Sequence, residues 1–545
     1  MKTGKKLIAL LLALVMLASL AACAGGSKET TNTGKEPAKT DTKEETKTDE
    51  KKDDAAPADA AAHDILNIAL ATDAGTLNPI LISQSTFGLL CCVYEPLWDV
   101  TVDNEIIWQL AESCEQIADN EYTLKIKQGV KFANGNPLTA EDVIFSMEIT
   151  RDAGASSAPR VQTVDFEKTK IVDDYTIDLV LLAPSIAHWT ILSQCVIYDK
   201  ESYDAAEANS KTNGTGPYKV TNYVPNSEII LELNENYRGE APAFKKINCK
   251  ILGEDSQRVN ALETGLIDIA AISTADYDYM SGVEGFNILG DYTGNYIEMK
   301  LNFGKNSAFY KNPDARRAIV HAIDRQAIAN TVYLGHAVPM NSSLVSYCFD
   351  YEERFENCSE TYSLGYDVEL AKSLADKSGL TGQTIQIITN GTTNIIRIAE
   401  MLQGMLSQIG VNLEINNYDA ATCGQMLFDV ESDWELFVST SFTPNRRCGD
   451  ILLNGVRYFP TLTAEGAFEN NQEYLKIAPD CMSLQDEKQL SETLYKMIKW
   501  FEDEVLAFAL FDIEGFTGFA DFIDMDSVVK SIGSSGIRYA ELKVK

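Results

Sequence analysis

Hydrophobic positions divide the chain into three regimes. Leu7 to Ala22 is an unbroken apolar run, residues 27–62 contain no aromatic side chain, and from residue 63 onward apolar positions recur at strand or helix spacing. Ile65 to Leu70 reads as a strand and is followed by a turn cluster from Thr72 to Pro79; further strands are expected at 121–127, 176–182 and 228–233. Thr139 caps a helix with acids in its first turn and with Val143, Ile144 and Met147 on one face. Asn312-Pro313 opens a second, in which Ala315, Ala318, Ile319, Ala322 and Ile323 turn inward. Asp367 opens a third, with Leu370, Ala371 and Leu374 inward and Gly379 as its stop. A longer amphipathic helix carries Ile395, Ile398, Ala399, Leu402, Met405, Leu406 and Ile409, ends at Gly410 and leads into a strand from Val411 to Ile415. A last helix places Leu490, Leu494, Met497, Ile498, Phe501 and Val505 on one side. Strands and helices are interspersed without a fixed-period repeat, so the predicted class is mixed α/β.

The chain has 545 residues. That exceeds the roughly 250–300 residues at which single cores stop growing, so two or three lobes are expected. Charge narrows the partners. There are 46 Lys+Arg against 80 Asp+Glu, a net −34, and such a surface repels nucleic acid and anionic lipid alike. With 45% hydrophobic and 9% aromatic residues the body is not a disordered chain.

The start of the chain reads as an export signal over residues 1–22: Lys2, Lys5 and Lys6, then the apolar run, then small residues. Leu20-Ala21-Ala22-Cys23 resembles the lipobox of bacterial lipoproteins, which implies lipidation of Cys23 and anchoring at the outer face of the cell membrane. Residues 23–63 are expected as the lipidated Cys and a flexible charged stalk, because a Lys, Glu, Asp, Thr, Ala and Pro composition buries too little to offset ordering. Residues 24–62 hold seven Lys and ten acids and the signal three Lys, so these cancel and the whole −34 falls on residues 63–545. Ten cysteines follow Cys23 without a CxxC pair, which suggests neither a zinc knuckle nor a dense disulfide framework; Cys348 and Cys358 flank a polar loop and are the one spacing at which a pair is considered.

Several segments carry a resemblance to a known family. Leu110-Ala-Glu-Ser113, Tyr122 through Phe132, Asn134-Gly-Asn-Pro-Leu-Thr-Ala-Glu-Asp-Val143, Gly214-Thr-Gly-Pro-Tyr218, Asn234-Glu-Asn-Tyr237, Ala261 through Asp268, Asp314-Ala-Arg-Arg-Ala318 with Ala322-Ile-Asp-Arg325, and Asp367 through Gly379 follow one another in order. Together they resemble the family 5 bacterial extracellular solute-binding proteins, the peptide and nickel class that serves ABC importers. The resemblance implies a periplasmic-binding-protein-like fold of type II (cluster C): lobe I from 64–98, 212–305 and 515–545, an inserted subdomain at 99–211, and lobe II at 306–514. Most of the signature residues have structural work in prospect. Gly214 and Gly216 with Pro217 are expected to form a tight crossing with positive φ, and Asn134-Gly135 suits a hairpin turn.

No HExxH, GxSxG, Walker loop or dinucleotide-binding turn is present, and His63, His188, His321 and His336 are scattered, so neither an enzyme nor a metal or cofactor site is expected. Binding is the expected activity: capture of a solute, first of all an oligopeptide, between hinged lobes, followed by delivery to a permease and ATPase complex by a monomeric receptor. The alternatives are a non-peptide solute such as a nickel chelate or sugar, and a sensory lipoprotein that does not transport. Dipeptide-binding relatives use an Asp for the ligand amine and an Arg for its carboxylate. Here Ser441, Phe442 and Thr443 stand about where that Asp would be, and Thr389 through Asn394 where the Arg would be, so both anchors are absent. Arg446 and Arg447, beside Asp450, are instead candidates for a carboxylate-bearing ligand. By position in the family, Ser85, Thr86 and Phe87 in the loop that starts at Ser83, and Asn302 and Phe303 between the lobes, complete the candidate site.

Overall fold

A computed structural model describes residues 63–545 apart from 83–84, 155–156, 341, 357, 359–364, 430–431, 444–445, 458–470 and 533–535. The signal segment, Cys23 and the stalk lie outside the described residues, as do Ser83 and Gln84 of the expected binding loop.

Among the described residues eleven strands form one mixed sheet, numbered here in chain order. They are β1 (Ile65–Leu70), β2 (Tyr218–Val224), β3 (Glu228–Leu233), β4 (Lys246–Ile251), β5 (Ile269–Ile272), β6 (Phe286–Leu301), β7 (Ala337–Pro339), β8 (Thr384–Thr389), β9 (Asn412–Asn417), β10 (Leu436–Phe442) and β11 (Ala507–Ala520). Their order is β9-β8-β10-β6-β11-β5-β1-β4-β3-β2, with β7 also pairing β11. In one half β1 runs parallel to β4 and β5; in the other β8 runs parallel to β9 and β10. The two long strands β6 and β11 run through both halves. They pair antiparallel over 286–292 with 514–520 and again over 296–300 with 507–512, and the register shifts between Tyr292 and Tyr296. Fourteen and sixteen residues make these strands more than twice the length of a common one, long enough to belong to two half-sheets at once.

Separate apolar cores pack on this frame. The largest joins the second half of β6, strands β8 and β10, and the inward faces of helices Pro313–Ala322, Val368–Ser378, Thr393–Gln408 and Glu487–Asp503. A second lies under β1, β3 and β4 and includes Phe87, Phe244 and Phe519. A third belongs to residues 97–197, where a four-stranded antiparallel sheet packs on helix Ala140–Asp152; it also takes in Ile532. The expected helices thus form where apolar spacing placed them, with differences at their ends: Ile323 and Ile409 are cap residues just beyond helices Pro313–Ala322 and Thr393–Gln408. Helix Glu487–Asp503 stops before Val505, which takes a left-handed φ of 50° and is still 1% exposed, because the chain turns sharply there to start β11 with its side chains inward.

The Gly214-Thr-Gly-Pro-Tyr218 signature corrects one expectation. Neither glycine has positive φ. Both are required by close approach: a Cβ on Gly214 would stand 2.0 Å from the Val93 carbonyl oxygen, and one on Gly216 2.5 Å from that of Cys92. The crossing is locked by hydrogen bonds from Gly216 N to Val93 O (2.9 Å), from Tyr218 N to Cys92 O (3.0 Å) and from Asn234 Nδ2 to Gly216 O (2.8 Å), which also explains the Asn234 motif. Asn134-Gly135 does make the expected turn, with Gly135 at φ 94° and with Asn134 and Asn136 both donating to the Asp199 carboxylate. Arg316, the third residue of the Asp314-Ala-Arg-Arg signature, is buried and donates to Phe309 O, Glu504 O and the Glu504 carboxylate.

Two measurements probe these arrangements. Gly216→Ala drives a methyl into backbone that cannot step aside, and a loss of about 3 kcal/mol or more is expected in urea unfolding. His188 is buried with Nδ1 2.6 Å from Ser185 O, and burial lowers its pKa from the ordinary 6.5 to about 4. The unfolded chain therefore binds the extra proton first. Stability is expected to fall by about 3 kcal/mol as pH drops from about 6.5 to about 4, and His188→Gln should remove that part of the slope.

Candidate functional site

The carboxyl end of β1 (Ala69, Leu70, Ala71) and the end of β5 (Ile269, Ala270, Ala271) open on a cavity of about 450 Å³. Strand ends in open α/β sheets leave the crevice that ligands use, since the chain departs from the sheet in opposite directions there. Gly88, Val102 and Thr517 extend this wall, and residues 530–532, 536–537 and Tyr539 close it from the C-terminal segment. The facing wall comes from the other half-sheet: Asn295 on β6, then Phe442, Thr443 and Arg446 where β10 ends. Asn295 stands at the register shift of β6, which is why a crossing strand contributes a side chain there.

The C-terminal wall is fixed by buried charge. Ser531 Oγ lies 2.8 Å from both oxygens of Asp99, whose carboxylate also accepts from Val100 N at 2.8 Å and from the Arg538 guanidinium. Burial opposes the charge on Arg538, but the facing carboxylates of Asp99 and Glu541 outweigh it and its pKa is raised. Asp99 is the middle residue of the strand Trp98–Val100 at the start of residues 97–197, so one ion pair ties that segment to the cavity wall.

The loop after β10 is held as firmly. Arg446 has a left-handed φ of 45°, its carbonyl accepts from Phe349 N at 2.9 Å, and its guanidinium lies 5.2 Å from the Tyr347 ring centroid. Arg447 lies 5.2 Å over Phe349, and Cys448 N donates to Asp350 Oδ1 at 2.8 Å. The ten described cysteines are free thiols. Cys348 is pushed up by burial and hydrogen-bonds the thiol of Cys448; Cys358 is engaged elsewhere, with its Sγ 3.2 Å from Arg354 O.

Of the residues expected from sequence, Phe442 and Arg446 line the cavity. Ser441 points to the other side of β10, where it donates to Glu298 and accepts from Lys300 Nζ at 3.2 Å. Arg447 and Asp450 sit behind the wall, Asp450 in the first turn of helix Cys448–Arg457. Thr86 and Phe87 are buried, with Arg160 4.9 Å over the Phe87 ring, and it is Gly88 of helix Ser85–Leu90 that reaches the cavity; Ser85 begins that helix. Asn302 is spent on structure, donating to Trp434 O (2.7 Å) and accepting from Gly304 N (2.9 Å), and Phe303 is buried beneath Arg316. Sequence reading missed Asn295, Thr517 and the 530–539 segment, none of which carries a local signal. Among the described residues no group of three or more His, Cys, Asp or Glu is placed to hold a metal ion, and no helix is long and apolar enough to cross a membrane.

A mixed sheet shared by two halves, with a cavity walled from both, defines a periplasmic-binding-protein-like solute-binding protein. The family description "bacterial extracellular solute-binding proteins, family 5 Middle" matches residues 105–443, and the chain belongs to that family. The oligopeptide-binding protein OppA of Bacillus subtilis is 23% identical over 496 residues, covering 82% of this chain and 87% of that protein. Among solved structures, the oligopeptide-binding protein AppA of Bacillus subtilis in complex with a nonapeptide aligns with a TM-score of 0.71 at 18% identity, over 88% of this chain and 99% of that one. NikA of Brucella suis in complex with Fe(III)-EDTA aligns at 0.76 and 20%, over 88% and 100%.

Ala271 is exposed at the cavity end of β5. Ala271→Trp is expected to strip most bound solute from the purified protein while moving unfolding stability by no more than about 0.5 kcal/mol, read by native mass spectrometry and urea titration.

Proposed function

We propose that the protein is the receptor of an ABC importer, capturing an oligopeptide between two lobes and delivering it to a membrane permease and its ATPase. The observation that carries this reading is the cavity itself, whose walls come from both half-sheets on either side of the β6 register shift. A ligand there touches both walls only when they are close together, so binding favours the closed arrangement. Strand ends at the cavity offer backbone groups to an extended peptide, which is how a receptor accepts many side chains. The relatives named for oligopeptides support the choice of ligand class. In this reading residues 64–98, 212–305 and 515–545 form lobe I, 99–211 the inserted subdomain and 306–514 lobe II. The receptor works as a monomer held at the outer face of the membrane by lipid on Cys23.

A second reading, a non-peptide solute such as a metal chelate, is favoured by the absence of both dipeptide anchors and by the neighbour solved with Fe(III)-EDTA. Native mass spectrometry of the protein as purified, before and after unfolding and refolding, separates the two. A spread of removable adducts that fragment as amino-acid residues is the expected result; one discrete adduct of other composition would overturn the peptide reading.

A further inference from the structure

We infer that Cys348 and Cys448 are a redox pair that closes to a disulfide when the folding chain meets a low-molecular-weight disulfide, and that the bond clamps the loop after β10, which gives Thr443 and Arg446 to the cavity. The cross-link needs nothing from the solute-receptor reading; only its effect on captured solute rests on that reading. Two segments run side by side here. Phe349 N donates to Arg446 O at 2.9 Å and Cys448 N to Asp350 Oδ1 at 2.8 Å, while the Arg446 and Arg447 guanidinium groups each lie 5.2 Å from a ring centroid, those of Tyr347 and Phe349. These contacts pin residues 347–350 to 446–448. Within that frame the two thiols hydrogen-bond each other, and both residues are buried. Thiols already in contact on a fixed backbone close to a disulfide with little movement. The spacing of Cys348 and Cys358 is therefore not the one the fold uses, since Cys358 Sγ lies 3.2 Å from Arg354 O. Cys195 and Cys423 are likewise engaged elsewhere, at 3.8 Å from Thr150 Oγ1 and 3.5 Å from Thr389 O. The rival partner is Cys481, whose carbonyl oxygen stands 2.1 Å from where a Cβ on Gly449 would be.

The chemistry is thiol–disulfide exchange. One cysteine, as thiolate, attacks a sulfur of the oxidant and expels one small thiolate; the other then attacks the mixed disulfide and expels the second. Two protein S–H bonds and the oxidant's S–S bond break, one S–S bond forms between Cys348 and Cys448, and two small thiols carry away both protons and both electrons. Burial raises the pKa of each thiol, Cys448 further with the Cys348 thiol beside it, so thiolate is scarce once the site has closed. Exchange therefore proceeds while the segments are still open in folding, and burial afterwards shields the bond from reductants. Members of this family are extracellular, where such oxidants persist. The bond closes a loop of about a hundred residues, a strong restriction on the unfolded chain. In the folded protein it fixes the start of helix Cys448–Arg457 two residues from Arg446, so the wall meets its ligand already placed.

The full chain is refolded from urea with glutathione disulfide or with dithiothreitol, free thiols are alkylated in acid-quenched samples, and peptides are mapped by mass spectrometry without reduction. A peptide joining Cys348 to Cys448 is expected after glutathione disulfide and not after dithiothreitol. The oxidised form should have a urea midpoint higher by about 0.5–1 M, and hydrogen exchange over residues 446–450 should be slower by roughly ten-fold. Cys348→Ala and Cys448→Ala should each abolish the difference between the oxidised and reduced forms, which is read within each variant and so does not depend on the variant's own stability. Cys358→Ala and Cys481→Ala should leave it intact. Solute that co-purifies should leave the oxidised form more slowly than the reduced one; a protein that carries no solute would count against the receptor reading, and the cross-link and exchange results would still decide the clamp. Full alkylation of both thiols after refolding with glutathione disulfide, a cross-link from Cys448 to Cys481 or from Cys348 to Cys358 in its place, or a Cys348–Cys448 bond that moves neither the urea midpoint nor the exchange would overturn the inference.

Discussion

The pairing of β6 with β11 is the constraint on which the rest of the structure depends. A ladder of backbone hydrogen bonds along two strands of sixteen and fourteen residues makes two half-sheets into one sheet, and each half then buries its own faces under its own helices. Such a ladder resists shear along its length and tolerates twist where it is interrupted. The interruption falls between Tyr292 and Tyr296, next to the residue that β6 gives to the cavity. The place where the backbone is least committed is therefore the place where a ligand touches both halves.

The segments that carry the family resemblance serve this frame more than the ligand. Gly214 and Gly216 are glycines because two backbones cross at contact distance, Asn234 ties that crossing, Asn134 and Asn136 hold Asp199, and Arg316 satisfies three oxygens beneath helix Pro313–Ala322. Each joins elements far apart in sequence, and a substitution in any of them leaves a buried polar group or a clash behind. Such residues fix the frame and leave the ligand open, and solved structures of the same fold hold a nonapeptide in one case and Fe(III)-EDTA in another.

The cavity wall shows how buried charge is used for placement. Asp99 and Arg538 come from opposite ends of the chain, and their pairing holds the hairpin of residues 530–531 and 536–537 against the cavity. Removing Arg538 would leave the Asp99 carboxylate buried with only the hydrogen bonds from Ser531 and Val100, so the pair fixes the position of Lys530 and Ser531 more than it adds stability. On the opposite wall the same task falls to aromatic rings, Tyr347 under Arg446 and Phe349 under Arg447. One wall is thus keyed by an ion pair and the other by stacked guanidinium groups.

By itself the sequence determined the class of fold and most helices, because those rest on local spacing: apolar residues three and four apart, capping Asp367 and Asn312, Gly379 and Gly410 at helix ends; the family followed from the resemblance of its ordered motifs. It also named Phe442 and Arg446, which lie at the end of β10 and just beyond it and line the cavity. Strands β6 and β11 were not legible, since their two halves face different neighbours and no single alternation runs through them. Nor were Asn302, Phe303, Thr86 and Phe87 distinguishable from ligand contacts, because a buried polar or aromatic residue looks the same in sequence whether it faces a carbonyl or a solute. Only the tertiary structure decided which cations of an acidic chain meet at the cavity, because Arg446 and Lys530 are brought there by contacts between segments some eighty residues apart.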